Sequence, residues 1–187
     1  VAALQEPAVR VHFAVGGMFW LTVGADAVGD KIKLMQADLF KSLTGKTLKD
    51  DRKDEHERQS MLVQAMAVKQ MRALVVLDDP WTAEQVRFLN PIDSSQSEEH
   101  RLLVTTRIRD LVPKATRVEL PLMGKDEAVE LLLELANVEE AEYLKEQPGA
   151  AWPPQAAYTI AAECGLLPIT LTIAAQVVRS WGEGWGE

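Results

Sequence analysis

The stretch Ala73–Trp81, ALVVLDDPW, decides how this chain is read. Ala73, Leu74, Val75, Val76 and Leu77 form an unbroken apolar run that ends in two acids, Asp78 and Asp79. A run this short, with no polar alternation, fits a strand buried on both faces, in the middle of a parallel sheet. Acids at the carboxyl end of such a strand stand at the crevice where open α/β sheets bind ligands. A carboxylate held there suits Mg²⁺, which takes one or two carboxylates together with waters and phosphate oxygens. Asp78 is the candidate metal acid, and Asp79 is the candidate for orienting or polarising an attacking water. On these residues alone, two acids that merely cap the next helix are an equal reading. An aspartyl nucleophile would call for another acid two residues after the first, and that position is Pro80.

Moving outward, Met18–Val23, closed by Gly24, reads as another buried strand. Apolar residues at Val28, Ile32, Met35, Leu39 and Leu43 then give a helical spacing, with Asp26 or Asp30 to cap its start. The mixed-charge run Lys46–Arg58 reads as a solvated loop, and Met61, Leu62, Ala65 and Met66 as a second amphipathic helix. Trp81–Leu89 reads as a short helix and Asn90–His100 as a polar loop. Arg101–Thr105 is a strand running into Thr105-Thr106-Arg107, and Val118-Glu119-Leu120 a short last strand. Helices are expected over Lys125–Ala136, Ala156–Cys164 and Pro168–Ser180, with an acidic linker at Asn137–Pro154. Strands and helices thus alternate up to residue 121, and only helices follow. Alternation predicts a mostly parallel α/β sheet over 1–121, with a small helical domain over 122–187.

Composition narrows the function. The 187 residues carry 20 basic and 28 acidic side chains, a net charge of −8, which argues against a nucleic-acid partner. No apolar run approaches the roughly 18 residues of a membrane helix, so no membrane partner is expected. The single cysteine, Cys164, excludes an intrachain disulfide and fits a reducing, cytoplasmic setting. It reads as a core residue. His12, His56 and His100 are scattered without metal-ligand spacing, which gives little support to an ordinary small-molecule enzyme. The chain opens on Val1, with Val1–Leu4 reading as the end of a helix, and is expected to be a piece of something longer.

Gly45-Lys46-Thr47 has the ending of a phosphate-binding loop, GxxxxGK[ST], but the position required to be the first glycine is Phe40. Such a loop must also leave a strand and enter a helix, so that backbone N–H groups converge on the phosphates. Here the tripeptide follows a helical pattern, and Gly45 is expected simply to end that helix. Arg107 follows a strand, and its guanidinium fork matches phosphate oxygens. Taken by itself, a surface arginine is the favoured reading.

Several segments, taken in order, resemble one family. Arg10–Phe13 and Met18–Gly24 resemble the stretch that follows the phosphate loop in NB-ARC domains. ALVVLDDPW resembles their Walker B segment, Arg101–Arg107 (RLLVTTR) their sensor strand, and Val118–Leu135 the segment that follows it. Cys164–Ile169, CGLLPI, resembles the family's CGGLPLA, with Leu166 replacing the second glycine.

The resemblance implies a P-loop NTPase-like fold of the STAND class, controlled by ADP/ATP exchange with Mg²⁺. It implies that Asp78 holds the Mg²⁺, that Asp79 is the hydrolysis-linked acid, that Arg107 senses the γ-phosphate, and that Pro168 packs near bound nucleotide. It further implies a parent that is a slow Mg²⁺-dependent ATPase, with protein partners or self-oligomerisation in its open state. The family's glycine-rich loop and its first strand, central in the sheet, are expected before Val1, and the winged-helix part beyond the tail. The 187 residues alone are therefore expected to be inactive. The alternative is a non-catalytic α/β interaction scaffold without nucleotide binding.

Overall fold

The computed structural model describes residues 5–48, 54–68, 72–93 and 99–181. The helix remnant expected at Val1–Leu4 lies outside them. The chain forms two compact units, Val1–Ala115 and Thr116–Glu187.

In the first unit the elements run α1 (Pro7–His12), β1 (Met18–Thr22), α2 (Asp30–Thr44), α3 (Glu55–Ala67), β2 (Leu74–Asp78), α4 (Ala83–Leu89) and β3 (Arg101–Thr105). The three strands form one parallel sheet in the order β1-β2-β3. The register sets Met18, Leu74 and Arg101 in one row and Thr22, Asp78 and Thr105 in another. The apolar run of β2 is fully explained by its place at the centre. Val75 and Leu77 enter a core with Val23, Ile32, Leu39, Leu62, Met66 and Leu89 under α2, α3 and α4. Leu74 and Val76 face the other way and pack with Phe13 and Val9 of the α1 region.

β1 and β3 instead alternate exposed and half-buried residues, so the expectation that Met18–Val23 is buried throughout does not hold. Each has only one bonded neighbour among the described residues, and Met18, Trp20 and Leu103 on these two strands stay exposed. β2 occupies the centre, bonded to both neighbours in unbroken register.

Local chemistry sets the helix ends. Gly29, not Asp26 or Asp30, precedes α2, and the Asp26 carboxylate instead accepts from Lys31 Nζ at 2.7 Å. Gly45 closes α2 in the left-handed conformation (φ 72°), its N–H donating to Lys41 O at 2.7 Å. The charged run expected to be a loop becomes helical from Glu55. Asp54 caps α3 in a reciprocal box with Glu57, and the dense charge supplies the acidic first turn that a helix N-terminus favours.

The second unit holds α5 (Lys125–Ala136), α6 (Glu140–Glu146), α7 (Gln155–Glu163) and α8 (Pro168–Trp181). Ala128, Leu132, Ala157, Ala161, Leu171 and Ala175 build its core, small alanines letting α5 pack closely on α7 and α8. Two expectations fail in this unit. Val118-Glu119-Leu120 is not a strand, and Val118 and Leu120 are exposed. Part of the linker, Glu140–Glu146, is a helix. Cys164 is half-buried beside this core, its Sγ 3.7 Å from Thr170 O.

Candidate functional site

Three of the four residues singled out from the sequence meet at the carboxyl ends of β2 and β3. β2 ends at Asp78, and the chain turns sharply at Asp79, which takes a left-handed backbone conformation (φ 55°) that aspartate tolerates better than most residues. The turn is pinned from both sides. Val23 N–H donates to Asp78 O at 2.8 Å and Gly24 N–H to Asp79 O at 3.1 Å, while Asp79 N–H donates to Thr105 O at 2.9 Å. Pro80, fully buried, has its carbonyl held by Thr106 Oγ1 at 3.0 Å.

The two acids have different surroundings. Asp78 Oδ1 accepts from Thr105 Oγ1 at 2.5 Å, and Oδ2 from Thr22 Oγ1 at 3.5 Å. A carboxylate offers about four lone-pair directions, so two remain for a further ligand. Asp79 Oδ2 accepts from Trp81 Nε1 at 3.1 Å, and Oδ1 is 3.4 Å from Arg107 Nη2. The Arg107 guanidinium also lies over the Trp81 ring, 4.9 Å from its centroid. Its side chain is 74% exposed, so this ion pair is a weak, water-screened clasp. Pro168 belongs to the other unit, where it opens α8.

A residue that sequence reasoning passed over braces the site. Gln85 is 3% exposed and uses both ends of its amide. Oε1 accepts from Trp81 N–H at 2.7 Å and Thr82 N–H at 3.1 Å, and Nε2 donates to Gly24 O at 3.1 Å and Ala27 O at 3.0 Å. It thereby ties the loop after β1 to the turn after β2. Half of this role is written in Thr82-x-x-Gln85, a capping-box pattern. The tripeptide Gly45-Lys46-Thr47 follows α2 rather than a strand, and Thr44 Oγ1 accepts from Lys46 N–H at 3.1 Å.

The donors fit Mg²⁺. It needs one or two carboxylates and takes its other ligands from water and phosphates rather than from a protein cage. Asp78 offers such a carboxylate on a rigid strand end, and among the described residues no group of three or more His, Cys, Asp or Glu forms a separate cage. Among the described residues no helix is long and apolar enough to cross a membrane.

A family model of the NB-ARC domain matches residues 2–142, three quarters of the chain, which takes in Met18–Gly24, Ala73–Trp81 and Arg101–Arg107 and stops short of Cys164–Ile169. No curated protein matches the chain. With a parallel sheet, a Walker B-like strand at its centre and a match of that extent, the chain belongs to the NB-ARC family, whose domains are typically nucleotide-binding switch modules.

Proposed function

We propose that the first unit forms the metal- and γ-phosphate-facing half of an ADP/ATP switch in a STAND signalling protein. Residues 1–121 carry the nucleotide role, and 122–187 transmit its state. One observation carries this reading: Asp78 pairs with Thr105 at the adjoining ends of β2 and β3, and Arg107, two residues beyond β3, reaches Asp79 at 3.4 Å. Bound Mg²⁺ would neutralise charge on the terminal phosphate oxygens. Asp78 would hold that ion's shell with its two free lone-pair directions.

Arg107 and Asp79 occupy each other here. For Asp79 to orient a water, Arg107 has to let go of it, and a γ-phosphate is the stronger attractor for a guanidinium fork. ATP but not ADP would therefore draw Arg107 off Asp79, which supplies a difference between the two nucleotide states. Pro168 enters only through CGLLPI, which resembles the family's nucleotide-adjacent proline motif.

The 187 residues contain no GxxxxGK[ST] sequence, and that loop supplies most phosphate contacts in this class. This reading therefore expects the 187 residues to bind ATP with a Kd weaker than about 1 mM, worth only about 4 kcal/mol. Within an open reading frame that supplies the loop, binding becomes tight and Mg²⁺-dependent, in the cytoplasm and coupled to protein partners or self-assembly.

Calorimetry on both forms tests this, with Asp78→Asn and Arg107→Ala in the longer one. Asp78→Asn is expected to remove the Mg²⁺ dependence, and Arg107→Ala to remove the preference for ATP over ADP. Micromolar ATP binding by the 187 residues, or unchanged nucleotide occupancy in both variants, would refute it. The second reading is a scaffold without nucleotide, and an open reading frame lacking that loop would favour it.

A further inference from the structure

The row Thr22–Asp78–Thr105 crosses all three strands, and its hydrogen bonds have a direction that can be counted. Trp20 Nε1–H can only donate, and it donates to Thr22 Oγ1 at 3.1 Å. Asp79 N–H can likewise only donate, and besides its main-chain acceptor it approaches Thr105 Oγ1 at 3.3 Å. Each threonine oxygen thus accepts one N–H. Each has one proton of its own, and Asp78 stands within reach of both, at 3.5 Å from Thr22 and 2.5 Å from Thr105. A carboxylate can only accept, so both hydroxyl protons point inward.

We infer that Thr22 and Thr105 are positioning residues for the metal site, a two-sided bracket that fixes the plane of the Asp78 carboxylate before any ion arrives, with Trp20 setting the Thr22 arm and the Asp79 backbone the Thr105 arm. The inference rests on Asp78 being the metal acid, as proposed above. Its physical basis is preorganisation. A carboxylate free to rotate must be ordered at binding, and a hard cation that demands near-octahedral geometry discriminates strongly against a misplaced oxygen. The arms are unequal. The Thr105 bond is short and strong, whereas 3.5 Å is long for O–H···O.

The test uses Mn²⁺ as probe, titrated with ATP into the protein encoded by the full open reading frame and followed by electron paramagnetic resonance of the free ion. Loss of a partner that orients a metal ligand typically costs about 10- to 100-fold in affinity. Thr105→Val is expected at about tenfold, the low end of that range. Thr22→Val and Trp20→Phe are expected at about threefold, because their arm is longer. Thr105→Ser and Thr22→Ser, which keep the hydroxyl, restore binding. A structural role alone would not separate Ser from Val at unchanged metal-free ATP affinity.

A second readout needs no nucleotide. The Trp20 indole N–H resonance shifts upfield in Thr22→Val, and it stays in place in Thr105→Val. Valine variants with wild-type Mn²⁺ affinity, beside an Asp78→Asn that has lost it, overturn the bracket and leave the metal assignment standing. Asp78→Asn with wild-type Mn²⁺ affinity, or a wild-type protein that takes up no Mn²⁺ with ATP, overturns both. An indole resonance unmoved in Thr22→Val removes the Trp20 arm.

Discussion

Replacing Gln85 by leucine should unlatch the site without touching Asp78, Asp79 or Arg107. The side chain is 3% exposed, so water cannot take over its four bonds, to Trp81 N, Thr82 N, Gly24 O and Ala27 O. At about 1 kcal/mol net per bond the loss is about 4 kcal/mol. Leucine returns about 1–2 kcal/mol by burying apolar surface in the same volume. The expected net cost is about 2–3 kcal/mol. With a urea m-value of about 2 kcal/mol/M, the midpoint should fall by about 1–1.5 M. Tryptophan fluorescence is a suitable probe, because Trp20 and Trp81 lie in the first unit. Gln85→Glu separates the two halves of the brace. It keeps an acceptor for the helix N-terminus but sets a carboxylate against two carbonyls, so it too should destabilise. A leucine variant within about 0.5 kcal/mol of wild type would refute the reasoning, since ordinary surface changes cost no more than that.

Lys46→Ala should leave nucleotide affinity unchanged by calorimetry, because its tripeptide follows α2 and does not meet the strand ends. Gly45→Ala should cost about 1 kcal/mol in denaturant unfolding, since nothing lies within 4 Å of an added Cβ and only the left-handed φ of 72° resists it. Leu132→Ala, fully buried in the helical unit, should cost about 3–5 kcal/mol, read from the unfolding of that unit by near-UV circular dichroism. The Asp54 carboxyl is held below its usual 3.8 by the Glu57 N–H it accepts. Its contribution is therefore fully present above the ordinary aspartate range and lost as pH falls through its lowered folded value. The stability gap between wild type and Asp54→Ala should narrow over that acid interval in a pH series of urea melts.

What the sequence made legible follows from what its patterns encode. The β2 run is apolar because both of its faces are covered, and that is a local signal. Gly45 ends α2 because only a left-handed residue turns the chain there, which is also local. Glu55–Arg58 misled because charge density reports solvent exposure, and a helix N-terminus capped by Asp54 is as solvated as a loop. Val118–Leu120 misled because alternation marks the ability to be a strand, while forming one also takes a bonded neighbour. At the site, Asp78, Asp79 and Arg107 were visible as chemistry at strand ends. Thr22 and Thr105 were not, because their relation to Asp78 exists only once register is fixed, and register is a property of pairs of strands.

Leu166 shows the same division between local signal and paired context. It stands where the family's CGGLPLA has its second glycine, and its φ of 55° is the left-handed conformation that glycine adopts freely. Together with Gly165 (φ 64°) it makes a double left-handed turn between α7 and α8, and Leu166 N–H donates to Ala161 O at 3.2 Å. A leucine there costs about 1–2 kcal/mol of backbone strain. Its side chain packs against the helical core, half-buried, which offsets about 1 kcal/mol of that. The strain and the packing nearly cancel, so the leucine is tolerated without being favoured. What it keeps is the direction of the turn, which delivers Pro168 to the first position of α8, where a missing N–H costs nothing. The position of Pro168 thus depends on a turn that glycine and leucine can both make, and the departure from the family pattern leaves the start of α8 intact.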